Sequence, residues 1–171
     1  MKPIFISILI SLFLTASVAE ARELKPYQGD ATPPLLLKDL AGKTHKLDDY
    51  RGRVVLVNFW ASWCPPCRAE MPSMQRLQEK LAGKPFTILA VDMGETPDVV
   101  NAYIKTVNTD FTVLLDSDGH ALKSWKVFAF PTSYVIDGNG KIRYALFGST
   151  EWDATETMQK ISDLLPSTTP K

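Results

Sequence analysis

Cys64 and Cys67 are the only thiols in this 171-residue chain. Two prolines separate them, within Asn58-Phe-Trp-Ala-Ser-Trp-Cys-Pro-Pro-Cys-Arg-Ala-Glu-Met-Pro72. Two thiols at this spacing can act as a structural staple, a metal clip or a redox couple. A staple gains with the logarithm of the loop it closes, and a two-residue loop lies near the bottom of that scale. Tetrahedral zinc wants four N or S ligands, and the two histidines, His45 and His120, are distant in sequence. No metal is therefore expected. The reading the residues favour is thiol–disulfide exchange.

That chemistry needs one sulfur held as a thiolate. Cys64 follows an apolar run and opens a helix-like stretch, where unpaired N–H groups and the positive end of the helix dipole point at it. A helix end is worth about 0.3–1 kcal/mol, against about 1.36 kcal/mol per pKa unit, so it favours the thiolate by roughly one unit. A Cys67 S–H adds a hydrogen bond to that anion. Cys64 is then the attacking thiol. Cys67, a helical turn inward and less accessible, is the resolving one. Pro65 and Pro66 stiffen the loop between them.

The elements that hold this pair read as an α/β domain. Val54-Val-Leu-Val-Asn-Phe59 is a continuous apolar run, the mark of a strand buried on both faces. Met71, Met74, Leu77 and Leu81 recur at helical spacing and predict a helix over 65–81, with a kink at Pro72. Further strands are expected at 86–92, 111–115, 132–137 and 141–147, the last two joined by the hairpin signal Gly138-Asn139-Gly140. Helices are expected at 97–107, 119–127 and 151–165. Residues 35–47 predict an edge hairpin with His45 on its exposed strand. The order gives a central mixed sheet with helices on both faces.

The N-terminus has the layout of a secretory leader: Lys2, an apolar stretch over 4–14, then small residues with Ala19 and Ala21 in an A-x-A arrangement and cleavage after Ala21. The alternative is an uncleaved anchor, but the run is short of the roughly 18–20 residues a span needs. The expected organisation is a leader at 1–21, a polar arm at 22–34, a domain at 35–165 and a tail at 166–171. Nineteen basic residues balance nineteen acidic ones, so nothing points to nucleic acid. Export to the periplasm is the expectation.

WCPPC after VVLVNFWAS, with LLLKDLAGKTHKLDDYRGRVVLVNFW upstream and Glu70, Pro72 and Phe130-Pro131-Thr132 downstream, resembles the thioredoxin superfamily. More closely it resembles the TlpA/ResA-like extracytoplasmic thiol–disulfide oxidoreductases, over roughly residues 33–165. The resemblance implies a thioredoxin-like fold with an N-terminal hairpin and a central insertion at 93–118. It implies a carboxylate, Glu70, beside the cysteines, either to raise the thiol pKa electrostatically or to shuttle a proton to and from Cys67, and a cis peptide before Pro131 that exposes the Phe130 backbone to substrate. Thioredoxins of the cytosol keep a buried Asp and a Lys partner where Asn58 and Ile88 stand here, so the proton work moves to Glu70.

Trp63, Pro65, Phe130 and Pro131 are the expected substrate surface; Trp60 is either part of that rim or core. The resemblance implies that Gly148 is the small residue that opens the substrate groove. Asp116-Ser-Asp-Gly119 looks like a calcium loop but has Val127 where a Glu is needed, and reads as a turn. Asp92 and Glu95 read as a solvated loop edge. The leading function is a reductase of protein disulfides needing no cofactor, working as a monomer and fed by a membrane thiol-transfer protein of the DsbD/CcdA kind. Apocytochrome c thiols and oxidase copper sites are the targets such a resemblance implies. The alternatives are a copper chaperone or assembly factor, a periplasmic oxidase or isomerase, and a peroxidase.

Overall fold

A computed structural model describes residues 22–166; the expected leader and most of the expected tail lie outside them. The elements in chain order are β1 (Lys25–Pro26), β2 (Leu36–Asp39), β3 (Thr44–Lys46), β4 (Val54–Trp60), α1 (Pro65–Lys80), β5 (Phe86–Met93) and α2 (Pro97–Val107). They continue with β6 (Thr112–Asp116), α3 (His120–Ser124), β7 (Thr132–Ile136), β8 (Ile142–Phe147) and α4 (Thr155–Ser162). The strands form one sheet in the order β1-β8-β7-β4-β5-β6-β2-β3. β4, β5 and β6 run parallel, and β7 lies antiparallel to β4. This is the mixed sheet of a thioredoxin-like fold.

The apolar run becomes the central strand, buried at all seven positions of β4. One face of the sheet, through Leu56, Trp60, Ile88 and Ala90, packs on Met71, Met74 and Leu77 of α1, Val100 of α2 and Ile161 of α4. The other, through Val55, Val57, Phe59, Leu89 and Tyr134, packs on Ala121 and Trp125. Helix α1 runs through Pro72, whose missing N–H leaves the Arg68 carbonyl without its usual donor.

The structure revises several boundaries. The 22–34 segment is more than a polar arm: Leu24 is buried in the core, and β1 pairs with β8 through Lys25↔Ala145. α3 stops at Ser124 because Trp125 turns into the core and Lys126 takes a positive φ of 53°. α4 starts at Thr155 instead of Glu151, because the 151–154 turn carries Trp152 into the interior. His45 is buried, contrary to expectation. Its ring nitrogens meet the Tyr50 hydroxyl at 2.6 Å and an Asp39 carboxylate oxygen at 2.8 Å, so the hairpin turns this side chain inward to close a polar network. Asp116 does make a turn, and its carboxylate accepts from the N–H groups of Ala121 and Leu122 at 3.0 and 2.8 Å.

Candidate functional site

The site grows from the junction of β4 and α1. Cys64 caps the helix, and Pro65 and Pro66 fill its first two positions, where an N–H has no intrahelical partner. The Cys67 N–H donates to Cys64 Sγ at 3.4 Å, and the Cys64 N–H donates to the Ala61 carbonyl at 3.2 Å. The sulfurs are joined in a disulfide, S–S 2.14 Å. Both cysteines are buried in this oxidised form, Cys64 only marginally less than Cys67 (3% and 0% exposed). The expected difference in accessibility between them is therefore small in this form.

Trp63 is 64% exposed and Pro65 is exposed beside the pair. Trp63 and the half-buried Phe130 meet edge to face at 5.8 Å between ring centroids, so the 129–131 loop lies against the cysteine turn. The Phe130–Pro131 peptide is cis, as the resemblance implies, and Pro131 is buried. The Pro131 carbonyl accepts from the Gly148 N–H at 2.8 Å. Gly148 has a φ of 109°, which favours glycine. A second aromatic pair, missed in the sequence, lies nearby in the chain: Phe128, 82% exposed, stacks on Phe147 at 5.5 Å. Trp60 is fully buried, which makes it core and not rim.

Glu70, one turn beyond Cys67, is buried in α1. Its Oε1 accepts from Asn58 Nδ2 at 2.8 Å and its Oε2 from Trp152 Nε1 at 2.9 Å. Asn58 Nδ2 also donates to Ser133 Oγ at 2.8 Å, while Asn58 Oδ1 has no partner. Burial pushes the Glu70 carboxyl up to about 7, against the pull of hydrogen bonds from Trp152, Asn58 and the Thr150 backbone. Desolvation disfavours the anion more than these donors favour it. Ser73 braces the assembly, donating to the Glu70 carbonyl at 2.7 Å and accepting from the Trp152 N–H at 3.0 Å. Asn58 was legible as a departure from cytosolic thioredoxins, though not as a donor to Glu70. Trp152 was not picked out, although a tryptophan N–H in a polar stretch asks for a buried partner. Ile88 is core.

Asp92 and Glu95 are not a solvated edge. Asp92 is fully buried at the end of β5, and Glu95 is half-buried. Burial, then the adjacent Glu95, raises the Asp92 carboxyl. For Glu95 burial is outweighed by hydrogen bonds from Ser62, and its carboxyl is lowered.

A sheet of this order with a disulfide at the tip of α1 defines the class, and comparison with known proteins places the chain within it. The chain belongs to the AhpC/TSA family, whose model matches residues 28–145. It is similar to the thiol-disulfide oxidoreductase ResA of Bacillus cereus (strain ATCC 10987 / NRS 248), 34% identical over 88% of this chain and 83% of that one. ResA of Bacillus subtilis (strain 168) is 33% identical over 71% and 68%. Among solved structures, a candidate thiol:disulfide interchange protein DsbE of Chlorobium tepidum superposes with a TM-score of 0.74 at 34% identity, covering 83% of this chain and 99% of that one. StoA of Bacillus subtilis, at 24% identity and a TM-score of 0.65 over 75% and 97%, shares the fold. The protein is a thiol–disulfide oxidoreductase, and Cys64 and Cys67 are the thiols it has for that chemistry.

Proposed function

We propose that the protein is an exported reductase of protein disulfides, with Cys64 as nucleophile, Cys67 as resolving thiol and Glu70 as proton carrier. In the reduced form the Cys64 thiolate attacks one sulfur of a substrate disulfide, and the other substrate sulfur leaves as a thiolate. Cys67 then gives its proton to the ionised Glu70 and attacks Cys64 Sγ. The mixed disulfide breaks, the second substrate sulfur leaves, and the Cys64–Cys67 bond forms. Two electrons pass to the substrate, and the Glu70 proton can follow to the departing thiolate. A dithiol donor at the membrane, of the DsbD/CcdA kind, restores the reduced form. No cofactor takes part.

The observation that carries this reading is a buried carboxyl poised at about 7, one helical turn from the resolving cysteine. A group near neutrality populates both protonation states, as a proton carrier must. Trp63, Pro65 and Phe130 form the surface that meets the substrate, with Pro131 buried next to Phe130 behind it. The leader-like layout of residues 1–21 supports a periplasmic location for the mature domain, which works as a monomer. C-P-P-C lacks the histidine of strongly oxidising C-P-H-C pairs, which favours the reducing direction. Cytochrome c or oxidase maturation is the fitting pathway, since its target thiols must be kept reduced outside the cytoplasm.

The test is trapping in the native envelope. Cys67→Ser accumulates mixed disulfides with its substrates, which can be identified by mass spectrometry, and Cys64→Ser traps far fewer. Equal trapping by the two variants would reverse the assignment of roles.

A further inference from the structure

The turn that delivers Cys64 to the tip of α1 is gripped from outside the helix. Ser62, two residues before Cys64, donates twice to one carboxylate: its backbone N–H to Glu95 Oε2 and its hydroxyl to Glu95 Oε1, both at 2.6 Å. Glu95 lies in the loop after β5, and its own N–H donates to Asp92 Oδ1 at 3.2 Å. Asp92 is paired in register with Trp60, the last residue of β4 before the cysteine turn. The chain of contacts thus runs from the centre of the sheet through two carboxyl groups to the residue that leads into the active-site turn. Hydrogen bonds to an ionised acceptor are shorter and stronger than neutral ones, and a two-point grip fixes orientation as well as distance.

While the disulfide is closed, the Cys64 sulfur is tied covalently to Cys67 in the first turn of the helix. Once it opens, that tie is gone and the turn must hold the sulfur by itself. We propose that Glu95, anchored by Asp92, is a positioning residue for the reduced enzyme: by gripping Ser62 it keeps Cys64 at the tip of α1, where the thiolate is stabilised. The inference rests on Cys64 being the attacking thiol.

The test uses reduced full-length protein carrying Cys67→Ser, so that Cys64 is the reacting thiol, and follows its alkylation by iodoacetamide at pH 7. Glu95→Ala lowers the rate at least fivefold. Glu95→Gln stays within twofold of the parent, because its carbonyl accepts the Ser62 N–H and its amide donates to the Ser62 hydroxyl. The direction is informative: loss of a nearby negative charge alone favours the thiolate and speeds the reaction. A folded Glu95→Ala protein that reacts at the parental rate or faster overturns the proposal, as does a Glu95→Gln protein that slows as much as Glu95→Ala. If Glu95→Ala does not fold, Ser62→Ala serves in its place: at least a twofold loss supports the grip, and none overturns it. The assignment of roles is judged separately. With the native Glu95 in place, a Cys64→Ser protein whose Cys67 alkylates as fast as Cys64 overturns that assignment, whereas the grip is read from the ratio between Glu95 variants.

Discussion

Replacing Glu70 with glutamine keeps the shape of the side chain and removes its charge, which isolates what that buried carboxyl does. An acid whose native pKa is raised keeps its proton in the folded state over a range where the unfolded chain has already lost it. Stability therefore falls as pH rises through that range and is flat on either side. For Glu70 the window runs from the ordinary glutamate value of 4.5 to about 7, which at about 1.36 kcal/mol per pH unit amounts to about 3 kcal/mol. Glu70→Gln lacks this slope, so it gains about 3 kcal/mol on the wild type between pH 4 and pH 8. The variant can still be satisfied inside. Trp152 donates to its carbonyl, and Asn58 can turn its amide over to present the Oδ1 that is unpartnered in the native protein. Urea unfolding of the oxidised proteins across that range measures the difference. The cysteines do not titrate as a disulfide, and Asp92, also raised, is common to both proteins and cancels. A difference that stays constant from pH 4 to pH 8 would refute the reasoning, because it would mean the carboxyl is no more burdened in the folded protein than in the unfolded one. In the reduced protein the same substitution slows decay of the mixed disulfide about 10²-fold, the lower end of what a positioned proton carrier contributes.

Trp63→Ala removes an exposed ring, so thermal stability changes by no more than about 0.5 kcal/mol. KM for a protein disulfide such as insulin rises at least threefold, while alkylation of Cys64 by a small reagent is unchanged. Equal KM values would remove Trp63 from the docking surface. His45→Ala strands Asp39 and Tyr50 in the edge hairpin and costs about 1–3 kcal/mol in urea unfolding, with insulin reduction per folded molecule unaltered. A loss of activity there would tie the hairpin to the site in a way the sheet order does not.

Much of the fold was legible because its signals are local. The run from Val54 to Phe59 is apolar without alternation, and a strand buried on both faces is what such a run satisfies. The spacing of Met71, Met74 and Leu77 fixes one helix face, and Gly138-Asn139-Gly140 dictates a hairpin. The pair Cys64 and Cys67 carries its chemistry in its spacing and in the strand and helix on either side. Two readings failed where side-chain direction decides the outcome. His45 alternates outward in a two-stranded hairpin read by itself. Once the hairpin joins β6 through β2 and the short turn brings Tyr50 across, the same residue is enclosed. Asp92 and Glu95 look like loop acids until the register of β5 against β4 sets Asp92 beside Trp60.

The sequence alone determined which atoms can exchange electrons and which elements flank them, since a dithiol at a strand–helix junction is written in consecutive residues. Only the tertiary structure decided how protons and positions are controlled. Asn58, Glu70 and Ser133 come from three separate elements and Trp152 from the turn before a fourth, and Ser62 meets Glu95 across 33 residues. The desolvation that lifts one carboxyl and the donors that hold the other ionised exist only once those segments have packed together.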